Sequence, residues 1–538
     1  MKLRILLALA AATSVGAAAL AACNSSSTTP GTSADDAGGA DSTSPVTNDD
    51  AGGSDSASPV TNDGAPADSG PEAGPLACAD GGPPVHLPPG YTQVVTSTVD
   101  EYFGLGAQVV LDENDDPLVS YFAVPASVQG NTVPGACSPP TSTVGCDGVY
   151  FTRWDPCAGA FTTPVIIDST VNFYGSNPGT QLMSLAYDPS TKEIGIAYTK
   201  DYGVNAAWSD AFTATMLATQ KAGQSAFVVQ QVSVNNQWGA TDVSNAYTPS
   251  LAMGGGNLYL TFSEGFLPFN CPSGTCQRFV SSTTIPPDAG VLDGGDAGEG
   301  DAGPPPPHYF DTANVPGEGN DGGLAFPWGG VSSIAIDSSG RPAVAFYQPA
   351  AGDNVPELVY WRSGMTTLVS VATATVQNDY LTGTLRFEGT APRFAGTIAL
   401  SSSATGSITY FSSSDGTTWD TPVNLPLSAG AALYSTLATD GHGNEAIASH
   451  YNGSAPLAGQ DAGCGGSRPF VTRSSNSGAM WSGCDVNATV AAINNSVGSA
   501  YGASRIAGKY VLVGSIEGNG AEQLDGGSGY SIVYYQDP

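Results

Sequence analysis

Four aspartates occupy one register of a repeated segment, and a carboxylate at such a position could hold a cation, move a proton or order a turn. They are Asp112, Asp188, Asp337 and Asp440, in segments 109–122, 185–198, 334–347 and 437–450, which superpose without gaps. Five residues after each stands Pro117, Glu193, Pro342 or Glu445. Asp112, Asn114 and Asp116 copy the alternating oxygen ligands that open a calcium loop. The three sister segments keep the aspartate without those ligands, so the shared role is structural: strand, tight turn, strand, with the carboxylate accepting backbone N–H groups two residues on. No metal centre is expected, because His86, His308, His442 and His450 are scattered and no Cys-x-x-Cys pair exists. Gly-x-Ser-x-Gly elbows and phosphate loops are also absent from the sequence, and no cofactor or catalytic residue is assigned. The remaining acidic residues could include a glycosidase pair, whose separation only a structure can measure.

The elements that carry these turns are strands. From about residue 90 the chain consists of short β-branched and aromatic runs separated by Gly, Pro, Asn and Asp, with no sustained helical period. A weaker copy at 251–262 (LAMGGGNLYLTF) has glycine at the aspartate register, and a last copy runs through 504–516. Third strands follow at 148–154 (GVYFTRW), 357–362 (ELVYWR) and 407–413 (SITYFSS). Two third strands lead into turns at 413–419 (SSDGTTW) and 474–481 (SSNSGAMW).

Those turns resemble the Asp-box (BNR repeat) of sialidase-like β-propellers, a Ser-x-Asp-x-Gly-x-Thr-Trp hairpin between the third and fourth strands of a blade. The matching positions are Asp415, Gly416 and Trp419 in the first, one residue short, and Asn476, Gly478 and Trp481 in the second. The resemblance implies an all-β propeller in which Asp or Asn folds onto the backbone, Gly takes a positive φ and Trp packs between blades. It implies no activity, since the Asp-box lies away from the catalytic face. A sialidase also needs an arginine triad, and the Phe/Tyr-Arg-Ile-Pro motif that presents its first member is missing.

Counting units near 112, 188, 254, 337, 385–425, 440 and 505 gives seven blades, or six if the ambiguous fifth, around 398–411, is discounted. The strand at 531–535 has no chain left for a fourth partner, and the run at 91–99 is an orphan; pairing them closes the ring and removes both edges. The aspartate turns and the Asp-box turns then share one rim. The other rim receives the long second-to-third-strand insertions, 123–147, 263–276, 348–356 and 452–467. Phe122, Tyr198, Tyr347 and His450 end their second strands facing that rim, where they are candidates to stack on a sugar or peptide.

The N-terminus supplies an address. Lys2 and Arg4 precede an apolar run ending in Leu20-Ala21-Ala22-Cys23, which resembles a bacterial lipobox: residues 1–22 are read as signal peptide and Cys23 as the lipidated first residue of an exported protein in the cell envelope, at the outer membrane. Residues 23–77 form an acidic Ser/Asp/Gly/Pro tether in which DSTSPVTND (41–49) recurs as DSASPVTND (55–63), and residues 78–538 form the propeller, with a low-complexity insertion at 286–307. The net charge of −33 excludes nucleic acid as a partner and leaves the lipid as the only membrane attachment. Eight further cysteines in an exported chain read as disulfides, paired 137–146, 271–276, 464–484 and 78–157. The expected function is binding or adhesion, recognising a carbohydrate or protein on the long-loop face. The alternative is a carbohydrate-active enzyme, a glycoside hydrolase of sialidase-like fold without the arginine motif.

Overall fold

The computed structural model describes residues 78, 81–96, 101–125, 148–168, 183–201, 213–232, 245–265, 275–281, 313–314, 332–349, 355–375, 383–398, 408–425, 432–451, 468–481, 493–501, 503, 505–518 and 529–537. The chain divides into two units. Met1–Glu72, with the signal, Cys23 and most of the tether, lies outside the described residues, and Ala73–Pro538 carries the strands. Every described element is a strand, so the all-β expectation holds.

The strands form antiparallel meanders arranged as a β-propeller. The innermost strands are Glu101–Leu111, Met183–Asp188, Asn245–Gly254, Ser332–Ile336, Gly383–Glu388, Ala432–Thr439 and Ile493–Tyr501. Each lies beside the next, and the last returns to the first, so the ring closes. Counted by continuous hydrogen bonding, the described residues form six sheets, one fewer than the repeats suggest. The eight-stranded one contains two meanders, the second and third units, joined where Asn245 meets Thr213 in a single parallel bridge.

One repeat boundary was open in the sequence and one differs from its reading. In the fifth unit the inner hairpin is Gly383–Glu388 with Ala391–Thr397, so the run at 398–411 follows the second strand and supplies the third, Ile408–Ser412. In the last unit the segment 504–516 is the first turn and second strand, and the inner strand Ile493–Tyr501 precedes it. Closure is as expected. Gly90–Thr96 pairs antiparallel with the terminal strand Gly529–Gln536, setting Tyr91 opposite Tyr535 and Thr96 opposite Ser531.

Strand alternation accounts for the core. Residues such as Val119, Tyr121, Val511 and Val513 face one seam between units, while Leu118, Phe122 and Phe151 face the next. The N-terminal approach is fixed at the turn rim: Val85 N–H donates to the Pro156 carbonyl (2.7 Å), the Trp154 indole N–H donates to Val85 O (2.9 Å), and Cys78 is bonded to Cys157. The other three cysteine pairs each have a member outside the described residues. Since the 78–157 bond closes a long loop that includes the closing strand, reduction or Cys157→Ser should cost about 2–5 kcal/mol. Urea midpoints with and without reductant check this; equal midpoints would refute it.

Candidate functional site

Each aspartate of the repeated register caps its own turn. Asp112 Oδ1 accepts N–H bonds from Asn114 (2.8 Å) and Asp116 (2.9 Å), Asp188 Oδ1 from Ser190 (2.9 Å), Asp337 Oδ1 from Ser339 (2.9 Å) and Arg341 (3.0 Å), and Asp440 Oδ1 from His442 (2.7 Å) and Asn444 (3.1 Å). Burial by itself would raise the Asp337 pKa, but bonds from Ser339 and Arg341 outweigh it and hold the carboxyl at about 2. Of the calcium-like positions only Asp116 reaches the closure seam by its side chain, pairing with Arg505 (3.3 Å), and its neighbour Asp115 accepts there from the backbone of Ala503 (2.8 Å) and Ile506 (2.7 Å). No group of three or more potential metal ligands occurs among the described residues.

The turns at 413–419 and 474–481 have related geometry. Asp415 Oδ1 accepts from Thr417 N (2.7 Å) and Thr418 N (2.8 Å), and these bonds hold its carboxyl well below the ordinary carboxylate range. Asn476 Oδ1 accepts from Met480 N (2.9 Å). Gly416 and Gly478 have φ of 78° and 81°. At Gly478 a Cβ would also lie 2.2 Å from the Tyr410 ring, so glycine is required twice over. Trp419 meets Tyr360 of the preceding unit edge-on at 5.3 Å, and Trp481 meets Tyr410 of the unit before it at 4.9 Å. Ser477 N–H donates to Gly443 O (3.0 Å), which places third-to-fourth-strand turns on the same rim as the aspartate turns.

Beneath the second of these turns lies a buried ionic cluster. Tyr410 donates to Glu445 Oε1 (2.9 Å), Arg393 Nε lies 3.2 Å from the same oxygen, and Arg393 Nη2 lies 2.6 Å from Glu388. Burial pushes the Glu445 carboxyl up to about 7. A tyrosine paired with a glutamate is the nucleophile arrangement a sialidase needs, yet Glu445 is 0% and Tyr410 1% exposed, so no substrate reaches them. The cluster is a structural clasp on the turn rim.

The aromatic candidates for the long-loop face go inward. Phe122, Tyr198 and Tyr347 are 1%, 0% and 4% exposed. Phe122 and Tyr198 share one inter-unit cluster with Met183 and Met216, and Tyr347 meets Phe394 edge-on at 6.1 Å. The physical reason is that second strands are flanked on both faces by neighbouring units, so a large apolar side chain there is covered. The Tyr198 hydroxyl donates to Asp168 (2.8 Å), which also holds Lys200 (3.0 Å). His450 is placed on its strand, and its side chain lies outside the described residues. So does at least part of every second-to-third-strand connection.

What the fold does open is its axis. An axial channel of about 470 Å³ is lined by all seven innermost strands, from Gln108 in the first to Tyr501 in the last, and by Asp112, Asp115 and Ala503 on the rim of the aspartate turns. Its wall is built by a hydroxyl ladder. Ser184 Oγ accepts from Leu251 N (2.9 Å), Ser250 Oγ from Ile334 N (3.0 Å) and Ser333 Oγ from Leu385 N (2.9 Å), each crossing to the next unit. Thr384 continues the series by donating to Ser435 O (3.2 Å). A serine or threonine four residues before the turn register (Ser184, Ser250, Ser333, Thr384, Thr436) is the sequence signal for this ladder. Arg386 projects cationic character into the channel, and the carboxylates in its lining, Asp112 and Asp115, are those already accepting backbone N–H groups.

The fold and channel define a class: a β-propeller closed by its own N-terminal strand. No family model and no curated protein sequence matches the chain. Among solved structures it is similar to the NanB sialidase of Streptococcus pneumoniae (13% identity, TM-score 0.37, covering 84% of this chain and 70% of that one). It is also similar to an α-L-arabinanase of Penicillium chrysogenum (12%, 0.37, 72% and 97%) and to the GH93 α-L-arabinofuranosidase of Fusarium graminearum (10%, 0.36, 72% and 96%). These neighbours are glycoside hydrolases. At such identities and scores the assignment of this chain rests on its own strand order and ring closure.

Proposed function

We propose that this chain is a lipid-anchored envelope protein whose propeller recognises a carbohydrate at its axial channel, and that it binds its ligand without cleaving it. The supporting observation is the channel lining. Hydroxyls and an amide suit a hydroxyl-rich ligand, whereas the carboxylates that glycoside cleavage requires in pairs are, among the described lining residues, committed to backbone N–H groups. The turns at 413–419 and 474–481 serve in this reading as Asp-box staples.

Probing a glycan and peptidoglycan array with the full chain should give retention without product. Released fragments would establish the catalytic alternative, and neither retention nor release would end the carbohydrate reading. Anchoring is checked separately. Cys23→Ser should move the protein from the membrane to the soluble fraction, and an unmodified Cys23 in the mass spectrum of the native protein would remove the lipoprotein assignment.

A further inference from the structure

Among the described residues, five cations of the propeller interior have carboxylate partners. Arg362 lies 3.5 Å from Asp337, Arg393 2.6 Å from Glu388, Arg473 3.0 Å from Asp537, Arg505 3.3 Å from Asp116 and Lys200 3.0 Å from Asp168. Arg386 does not follow this pattern. It lines the axial channel on the inner strand of the fifth unit, and its one described hydrogen bond runs from Nη1 to the carbonyl of Leu385 (2.8 Å), its own neighbour in sequence.

A guanidinium stays charged at any physiological pH, and a charge withdrawn from bulk water without a counter-charge is costly. The ring surrounds Arg386, and this desolvation lowers its pKa to about 10, still far above neutrality. Fixed neutralisation from the lining is not at hand. Asp112 and Asp115 belong to the first unit, three places round the ring, and their oxygens accept N–H groups of residues 114, 116, 503 and 506. The nearby threonines are also engaged: Thr384 donates to Ser435 O, and Thr439 lies 3.5 Å from Phe387 O. The channel beside Arg386 has room for a solvated ion.

We infer that the axial channel holds a small monovalent or divalent anion, either inorganic or the carboxylate of an organic molecule, with the Arg386 guanidinium as its charged ligand. The anion supplies the counter-charge that other interior cations obtain from Asp or Glu. This site is independent of the carbohydrate reading, because a neutral sugar would not satisfy it.

The test uses the full-length chain titrated with chloride, phosphate or acetate at constant ionic strength. Chloride binding is read as excess ³⁵Cl line broadening, and the other two by their displacement of it. In the wild type, the Arg386 Nε–Hε resonance should shift along the same saturation curve. Arg386→Met should lower affinity at least tenfold, and Arg386→Lys should retain binding within about tenfold of wild type. Displacement by phosphate but not acetate identifies an inorganic ion, and preferential displacement by acetate identifies an organic carboxylate; both support the site. No saturable uptake of any of the three by the wild type, an unmoved Arg386 resonance, or unchanged affinity in Arg386→Met would each overturn it.

Discussion

Deletion of residues 24–77 should leave the unfolding transition where it is, whereas extending the deletion through Val99 should cause aggregation or a loss of order 5–10 kcal/mol. The first segment has nine acidic residues, no Lys, Arg or aromatic, and a composition that buries no core. The second removes the outer strand of the closing unit. Its backbone partners along Gly529–Gln536 lose a ladder of hydrogen bonds, each contributing about 1 kcal/mol. Val94 and Leu87 leave the seam they share with Trp154 and Tyr534, and Tyr91 leaves its contact with Tyr535, at about 1.5–3 kcal/mol per buried side chain. What remains is an uncharged edge, Ile532 to Tyr535, a template for pairing with another chain. The longer deletion also removes Cys78, so a chain lacking 24–77 and carrying Cys78→Ser separates the two effects. Its loss should equal that of Cys157→Ser and be smaller than that of the strand deletion. If the strand deletion melts with this control, ring closure by Gly90–Thr96 is not what holds the last unit.

That closure was legible in the sequence because it follows from two mismatched ends, 91–99 and 531–535, each lacking a partner. The aspartate turns were legible for a different reason. An Asx turn is a local device, so its signature (Asp112, Asp188, Asp337 and Asp440 at one register) lies within a few residues of chain. The fifth unit was obscured because Glu388 replaces the aspartate and Ala391 follows after only two turn residues. The hydroxyl ladder is legible only once the repeats are aligned, because its bonds cross between units: Ser184 meets Leu251 across 67 positions, and only the shared place four residues before the turn register marks the series. Aromatic residues at strand ends can face the rim or pack inside the ring, and Phe122, Tyr198 and Tyr347 pack inside. Sequence reports that a strand alternates, but which face a neighbouring unit covers is a property of the ring. Arg386 is equally silent in the sequence, since its lack of a carboxylate partner among the described residues emerges only when the neighbouring units are in place.

The clasp around Glu445 gives the second large effect, and its pH dependence separates it from ordinary packing. Arg393→Met leaves Glu445, fully inaccessible, and Glu388 without their shared cation. Removing one partner of a buried ion pair costs about 3–5 kcal/mol. In the wild type the Glu445 carboxyl titrates at about 7, raised by burial from its ordinary 4.5. The folded state therefore binds a proton that the unfolded chain releases. The contribution is fully present below pH 4.5, declines as pH rises to about 7, and amounts to about 3 kcal/mol across that window. Asp116, raised to about 6 chiefly by burial, slopes the same way, so the wild-type profile alone does not isolate Glu445. Arg393 lowers the Glu445 pKa, and its removal drives that value higher and extends the window upward. Arg393→Met should accordingly cost its full ~3–5 kcal/mol at pH 8 but about half as much near pH 5.5, where Glu445 accepts a proton instead of facing an empty pocket. Glu445→Gln keeps an acceptor for Tyr410, removes the titration and should recover much of the loss when combined with Arg393→Met. Urea unfolding followed by tryptophan fluorescence at the two pH values checks each step. An Arg393→Met penalty independent of pH would mean that the arginine stabilises through its stem and its bond to the Ser413 carbonyl rather than through the charge on Glu445.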